Sequence, residues 1–188
     1  LRASLSTNGV ISNEKLKLIL HLLDEVVISL DSCNPCLHDK IRGINGAFEK
    51  SLKTIKLLSK NNIHPHINVT VRPDNFEGLH NLIPFLSDYI KSISFTLVDT
   101  SINKSKALIF NNEQLKSYYF DEVLLILKEC INNDIKVRIT PFFKGIQGLD
   151  ADSILAEILF NKDRYISNLN SIFELSSQKC SLPKTQLR

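Results

Sequence analysis

Methionine and tryptophan are absent from this chain of 188 residues, and glycine and proline are sparse, with six copies each. No apolar stretch approaches the roughly 20 residues that a membrane-spanning helix needs, so we expect no membrane partner. The chain has no run of basic residues and a net charge of only +3, which argues against a nucleic-acid partner. No signal peptide is recognisable. Because the chain starts at Leu1 and contains no methionine, we expect it to be a fragment of a longer protein.

Cysteine is also scarce, with four copies whose spacing does not suit a small disulfide scaffold, so we expect a reducing compartment such as the cytoplasm. Cys33 and Cys36 form a C-x-x-C pair, but a zinc or cluster site needs further ligands and no second such pair exists. We interpret them as loop cysteines that bind nothing, with a metal or redox site as the alternative. Cys130 lies in an apolar helical run and is predicted to be buried as a small hydrophobic residue.

The hydrophobic content of 43% and charged content of 23% are ordinary for a globular domain, and the length allows a sizeable core. Strands and helices alternate along the chain, which predicts an α/β fold with a parallel sheet and right-handed crossovers. The predicted strands are 2–6, 26–30, 66–72, 92–97 and 136–140. The predicted helices begin at Ser12, follow Gly46, and cover about 77–89 and 113–132.

The later strands alternate apolar with polar residues, although buried parallel strands usually read as continuous apolar runs. This pattern favours a curved sheet whose polar, concave side holds a polar ligand, over an open doubly wound sheet. Ligand-binding groups are expected at the carboxyl ends of the strands. The residues at or near those ends include Thr7, Asn8, Ser29, Asp31, Thr70 and Arg72.

Four short motifs occur in a characteristic order: T-N-G at 7–9, S-L-D at 29–31, H-D-x-x-R-G at 38–43 and G-x-F at 46–48. Together with the strand 67–72 and the D-N pair at 74–75, they resemble the radical SAM superfamily over roughly residues 3 to 100. The resemblance is closest to the branch with an auxiliary-cluster (SPASM-type) extension, which includes peptide and sulfatase maturases. It implies that residues 1–140 are a partial (β/α)6 TIM-like barrel lacking its first βα units. Residues 141–188 would be a helical connector toward the auxiliary-cluster region.

The resemblance also implies cofactors and an activity for the parent protein. S-adenosylmethionine would be cleaved reductively on a [4Fe–4S] cluster, with electrons from a reductant such as flavodoxin or ferredoxin. The resulting radical would modify a peptide or protein side chain. Alternatives are a small-molecule rearrangement or cyclisation enzyme, or a degenerate barrel that only binds a peptide or partner. The family's C-x3-C-x2-C cluster motif is absent from this chain, so we expect the fragment alone to be inactive.

Residue roles follow from the same resemblance. Ser29 would hydrogen-bond S-adenosylmethionine and Arg42 would pair with its carboxylate, a role that suits the planar guanidinium. As an alternative, Arg42 pairs with Asp39 or Asp31 and only fixes the loop. Thr7, Asn8 and Asp31 are further cofactor-binding candidates. Two roles are expected for a further group of polar residues: they contact the substrate, or they form hydrogen bonds with one another inside the barrel. These residues are His66, Asn68, Thr70 and Arg72. Cys180 is a candidate ligand of an auxiliary [4Fe–4S] cluster, or else an exposed thiol.

Overall fold

The computed structural model of this chain describes residues 3–98, 108, 110–111, 114 and 117–140. Its strands are β1 Ser4–Thr7, β2 Glu25–Ser29, β3 His66–Val71, β4 Ser92–Leu97 and β5 Lys136–Thr140. Its α-helices are α1 Asn13–Ile19, α2 Pro35–Arg42, α3 Ala47–Lys60, α4 Leu82–Leu86 and α5 Val123–Asn132. Short 3-10 turns at Leu20–Leu22 and Leu79–Asn81 and a π-helical turn at Tyr118–Glu122 complete these elements. The predicted connector 141–188 lies outside the described residues.

The five strands form one sheet in the sequential order β1-β2-β3-β4-β5, and every neighbouring pair is parallel. Within this sheet the order never reverses, whereas a doubly wound sheet has a reversal at its switch point. Right-handed crossovers between successive strands place their helices on one face, as in a (β/α) barrel. The predicted α/β fold with a parallel sheet is confirmed, and the two strands 92–97 and 136–140 have the predicted bounds.

The two faces of the sheet differ in chemistry. The face toward the helices is apolar and fully buried, and each large side chain there contributes about 1.5–3 kcal/mol by leaving water. The opposite face is polar, and its residues lie in rows across the sheet, because Asn68 is in register with Ser29, Ser94 with Asn68, and Arg138 with Ser94. The core face includes Val26, Ile28, Ile67, Val69, Ile93 and Phe95.

Helix α2 covers residues that the sequence analysis assigned mainly to a loop. Asn34 is its N-cap and accepts the Leu37 N–H at 3.2 Å, Pro35 is the first helical residue, and Gly43 ends the helix with φ +66°. These are ordinary start and stop signals of a helix, since proline suits the first turn and glycine tolerates the left-handed conformation. Cys36 is therefore helical, and Arg42 is the last residue of a helix.

Helix α3 has the predicted extent, whereas two other predicted helical regions consist of shorter elements. The region 77–89 contains the 3-10 turn and the five-residue α4. In the region predicted as a helix over about 113–132, residues 114 and 117 are helical, and the π-helical turn and α5 follow. Glu122, at the end of the π-helical turn, is nearly buried and accepts the backbone N–H groups of Gly78 and His80. This carboxylate therefore joins the two regions. No helix of the described residues is long and apolar enough to cross a membrane.

Candidate functional site

Asp31 lies two residues beyond the end of β2 and has no solvent exposure. Its Oδ1 accepts the Thr70 N–H at 2.9 Å, and its Oδ2 lies 2.6 Å from Nη2 of Arg42. Burial raises the pKa of the Asp31 carboxyl, and the nearby Arg42 charge and the Thr70 hydrogen bond oppose that shift only partly. Two predicted cofactor-binding residues therefore contact each other directly.

The alternative role for Arg42 is also realised, since the residue pairs with Asp31. Nη2 of Arg42 and Oδ2 of Asp31 form an ion pair, and neither atom has a further hydrogen-bond partner among the described residues. Nε of Arg42 is likewise buried without an acceptor in this part of the chain. The side chain as a whole is 23% exposed. Because Nε and Nη2 are buried, only the exposed remainder of the guanidinium is open to an anionic ligand.

His38, on the first half of α2, faces the same carboxylate from the buried side. Its Nδ1 accepts the Asp31 N–H at 3.2 Å, so Nδ1 carries no proton and the ring is neutral. Burial, followed by the neighbouring Arg42 charge, lowers the pKa of His38 to about 4. His38 therefore attaches α2 to the end of β2 and is not available as a metal ligand through Nδ1.

Asp39 accepts the backbone N–H groups of Phe48 and Gly46 at the start of α3, and these hydrogen bonds lower its pKa. It satisfies donors that the first turn of a helix leaves free. In the motif H-D-x-x-R-G, the first residue holds Asp31, the second caps α3, the arginine pairs with Asp31 and the glycine ends α2. The motif has an architectural function in addition to any ligand contact.

Asn75 completes these contacts from the far side of β3. Its Nδ2 donates to the carbonyl oxygens of Asp31 at 2.8 Å and Thr70 at 2.9 Å, and its Oδ1 accepts the Arg72 N–H at 2.7 Å. The Arg72 guanidinium itself binds Asp74 through Nε and Nη2, at 2.9 and 3.0 Å. We call Asp31, His38, Arg42, Thr70 and Asn75 the carboxyl-end network.

Ser29 ends β2, and strand alternation places its side chain on the polar face, in register with Asn68. The serine is half-buried, and its hydroxyl makes no hydrogen bond within the described residues. It lies two residues before Asp31. The predicted cofactor-binding residues Ser29 and Arg42 thus emerge at the same end of the sheet.

The T-N-G motif forms a turn that docks on α3. Its carbonyl groups accept hydrogen bonds from α3: Ser51 Oγ donates to the Asn8 oxygen and Thr54 Oγ1 to the Gly9 oxygen, both at 2.8 Å. Gly9 has φ +79°, and a Cβ there would lie 2.7 Å from Ser51, so only glycine fits. The side chains of Thr7 and Asn8 accept N–H groups two residues ahead of them. Both predicted cofactor-binding residues therefore have local structural partners.

His66 and Asn68 lie nearer the amino ends of the strands. His66 contacts Ser92 Oγ at 2.8 Å through Nδ1 and Ser94 Oγ at 2.9 Å through Nε2, and Ser94 Oγ donates to Asn68 Oδ1 at 3.0 Å. Burial and then the Arg138 charge lower the pKa of His66. These residues line a cavity of about 400 Å³ together with Glu25, Lys136 and Arg138. We call this cavity the amino-end pocket. Thr70 and Arg72 do not line it.

The cysteine predictions have separate outcomes. Cys33 and Cys36 are free thiols, half-buried and exposed, and the described residues contain no group of three or more side chains that could hold a metal ion. Cys130 is fully buried, as predicted, and burial raises its pKa to about 12. Cys180 lies outside the described residues.

Sequence reasoning did not single out Ser51, Thr54 or Glu122, and it noted Asn75 only within a motif. All four are polar and almost fully buried. The available signal was a small or amide-bearing polar residue on an otherwise apolar helix face or directly after a strand, where it satisfies backbone groups.

No model of a known protein family matches this chain. It is 33% identical over 102 residues, 52% of its length, to the antilisterial bacteriocin subtilosin biosynthesis protein AlbA of Bacillus subtilis, of which it covers 23%. It is 37% identical over 81 residues, 42% of its length, to an AdoMet-dependent heme synthase of Methanosarcina barkeri, again covering 23% of that protein. The chain thus spans about a quarter of these curated relatives.

Among solved structures, SuiB of Streptococcus suis bound to its precursor peptide SuiA superposes with a TM-score of 0.62 at 12% identity, over 84% of this chain and 34% of SuiB. At that identity the likeness establishes the fold only. The sequence relationships and the shared fold agree. These similarities support the expected resemblance to the radical SAM superfamily. The family resemblance read from the short motifs is confirmed, and so is the similarity of the parallel sheet to the family's barrel.

Proposed function

We propose that this chain is the part of a radical SAM enzyme that holds the amino-acid end of S-adenosylmethionine, in a protein that modifies a peptide or protein side chain. The observation that carries this proposal is the guanidinium of Arg42, which lies beside the end of β2 and is held by Asp31 at 2.6 Å through Nη2, while the side chain remains 23% exposed. A carboxylate matches the exposed part of a guanidinium in shape and charge.

The residues present suit the carboxylate end of this cofactor. Arg42 would pair with the carboxylate, and the Ser29 hydroxyl would supply a further hydrogen bond. Asp31 would hold the guanidinium, while Asn75 would fix the backbone around Asp31 and Thr70. Thr7 and Asn8 remain further candidates. When bound, S-adenosylmethionine supplies a sulfonium group whose reductive cleavage yields a carbon-centred radical.

The described residues supply no ligand set for the [4Fe–4S] cluster of the family, because they contain no group of three or more side chains that could hold a metal ion. We therefore derive no step through that cluster. An auxiliary cluster with Cys180 as a ligand, the SPASM-type branch, a flavodoxin or ferredoxin as reductant, and a cytoplasmic location stay predictions.

A peptide or protein substrate is supported by two relatives. AlbA takes part in the biosynthesis of a bacteriocin, and SuiB has been solved with a precursor peptide. For this chain, Thr70 and Arg72 are the proposed substrate contacts at the carboxyl end of β3, with His66 and Asn68 deeper along the strand. The relatedness to heme synthases favours a second candidate, in which the substrate is a small molecule.

Calorimetric titration of the full-length reconstituted protein with S-adenosylmethionine tests the proposal. Replacing Arg42 with lysine keeps the charge but loses the planar fork, so we expect binding to weaken by about 1–3 kcal/mol. Arg138→Lys is the matched control, because Arg138 lines the amino-end pocket, and it should leave the affinity unchanged. Unchanged affinity in Arg42→Lys together with a lower melting temperature would show that Arg42 only fixes α2 to Asp31.

A further inference from the structure

The amino-end pocket contains cationic side chains that the described residues do not neutralise. Lys136 and Arg138 are exposed, occupy alternate positions on β5 and line the cavity. Within the described part of the chain, neither side chain takes part in an ion pair or a hydrogen bond. Glu25 is the one carboxylate among the residues that line the cavity. With a neutral His66, the formal charge of the lining is therefore positive.

At the floor of this pocket, each hydrogen bond of a four-residue chain has a defined donor and acceptor. The chain consists of Ser92, His66, Ser94 and Asn68. The Ser94 hydroxyl donates to Asn68 Oδ1 at 3.0 Å, with the Ile67 carbonyl oxygen farther away at 3.5 Å, so the Ser94 oxygen accepts a hydrogen bond from Nε2 of His66. Nδ1 of the neutral ring then accepts from Ser92. This arrangement leaves the Asn68 amide N–H groups without a hydrogen bond in the described structure. A neutral donor and two cations thus border one cavity.

We propose that the amino-end pocket binds a small anion through a carboxylate or phosphate group held by Lys136 and Arg138, with the Asn68 amide as a neutral donor. Charged donors bind such groups with short, strong hydrogen bonds. The cavity, at about 400 Å³, is large enough for a small metabolite. The site is separate from the proposed cofactor site, because the two lie at opposite ends of the strands, and the proposal does not depend on S-adenosylmethionine.

The test is calorimetric titration of the purified chain, without S-adenosylmethionine, with inorganic phosphate and separately with malonate. Saturable binding of at least one probe is expected, and the tighter probe identifies the phosphate or the carboxylate as the preferred group. The double variant Lys136→Gln with Arg138→Gln should lose affinity by about tenfold or more. The double variant Lys53→Gln with Lys60→Gln removes the same charge from α3, outside the pocket, and should change affinity by less than about twofold.

A change of opposite sign makes the test specific. Glu25 lines the pocket and repels an anion, so Glu25→Gln should tighten binding of the same probe. All variants alter exposed side chains, and a thermal melt of each verifies that the fold is kept. The proposal is overturned if neither probe saturates, if the α3 variant loses as much affinity as the β5 variant, or if Glu25→Gln weakens binding.

Discussion

At the carboxyl ends of β2 and β3, Asp31 is fully buried and contacts His38, Arg42, Thr70 and Asn75. At the amino ends, Lys136 and Arg138 stand exposed and lack an ionic partner in the described structure. Both sets belong to the same parallel sheet. The polar groups of the first set are partnered mainly by the chain itself, with Arg42 also open to a ligand, whereas those of the second set face solvent or a ligand.

This difference separates stability from binding. A buried polar group that loses its partner keeps its desolvation cost, so changes in the carboxyl-end network should lower the free energy of unfolding. Exposed cations have no such cost, so changes in the amino-end pocket should alter ligand affinity and local pKa values while the stability is nearly constant. The following substitutions test that division, from the largest expected effect to the smallest.

Asp31→Ala should cause the largest loss. It removes the acceptor of the Thr70 N–H and leaves the partly buried Arg42 without its ion-pair partner. Breaking a buried pair in this way costs about 3–5 kcal/mol, measured as the free energy of unfolding in urea. Asp74→Ala is the matched control, because the Arg72–Asp74 pair is more exposed and its loss should cost less than about 1 kcal/mol.

Asp31→Asn refines this result. Asparagine keeps an acceptor for Thr70, and burial already disfavours the ionised carboxyl, as its raised pKa indicates. The asparagine variant should therefore be more stable than the alanine variant. Equal losses in the two would mean that the charge of Asp31, and not its hydrogen bonds, determines the stability of this end of the sheet.

Acidification should destabilise the fold through His38. Its pKa is about 4 in the folded protein, below the ordinary value of 6.5, so the unfolded chain binds the proton first as the pH falls. Stability is thus lost between about pH 6.5 and pH 4, by an amount of about 3 kcal/mol at most. Urea unfolding at several pH values measures it.

The other groups that face His38 titrate differently. Asp39 has a lowered pKa, so its contribution to stability is lost at lower pH, while Asp31 has a raised pKa, and protonation of the folded protein partly opposes the loss. Comparison with His38→Gln isolates the histidine, and His21→Gln is the exposed control. If His38→Gln does not fold, the pH titration of the His38 ring by NMR decides, and a midpoint near 6.5 would contradict the prediction.

The sequence predicts the sheet better than the contacts that hold its turns. Period-two alternation identifies 92–97 and 136–140 correctly, because one face of each strand packs on helices. Helix α2 was missed although Asn34, Pro35 and Gly43 are ordinary start and stop signals, since the C-x-x-C pair suggested a loop. Ser51 and Thr54 could not be found, because their acceptors lie 43 and 45 residues away in sequence.

The candidate site shows the same limit. The motifs identify Ser29, Asp31 and Arg42, and the structure brings the last two into contact. Alternation predicts that His66 and Thr70 share a face, but not that His66 lines the cavity at the amino ends while Thr70 joins the carboxyl-end network. Depth along a strand depends on the register with neighbouring strands, which a single sequence does not specify.

Gly9→Ala should destabilise the turn that docks on α3. The residue has φ +79°, and the new Cβ would lie 2.7 Å from Ser51, so backbone strain and a steric clash add up to about 2–4 kcal/mol. Gly43→Ala is the matched control, because it has φ +66° but nothing within 4 Å of a new Cβ. It should cost only the backbone strain, about 1–2 kcal/mol. Equal melting temperatures for the two variants would contradict the close docking of this turn.

The smallest effect is expected at the amino-end pocket. Arg138→Gln removes an exposed charge, so the free energy of unfolding should change by less than about 0.5 kcal/mol. The charge of Arg138 is nevertheless one cause of the lowered pKa of His66, second to burial. Its removal should therefore raise that pKa toward the ordinary value, which the ring resonances of His66 report in an NMR titration. Lys60→Gln, on α3, should leave those resonances unchanged. An unchanged or lower pKa of His66 in Arg138→Gln, or a large loss of stability, would contradict the division. It would mean that the amino-end residues stabilise the fold as Asp31 does.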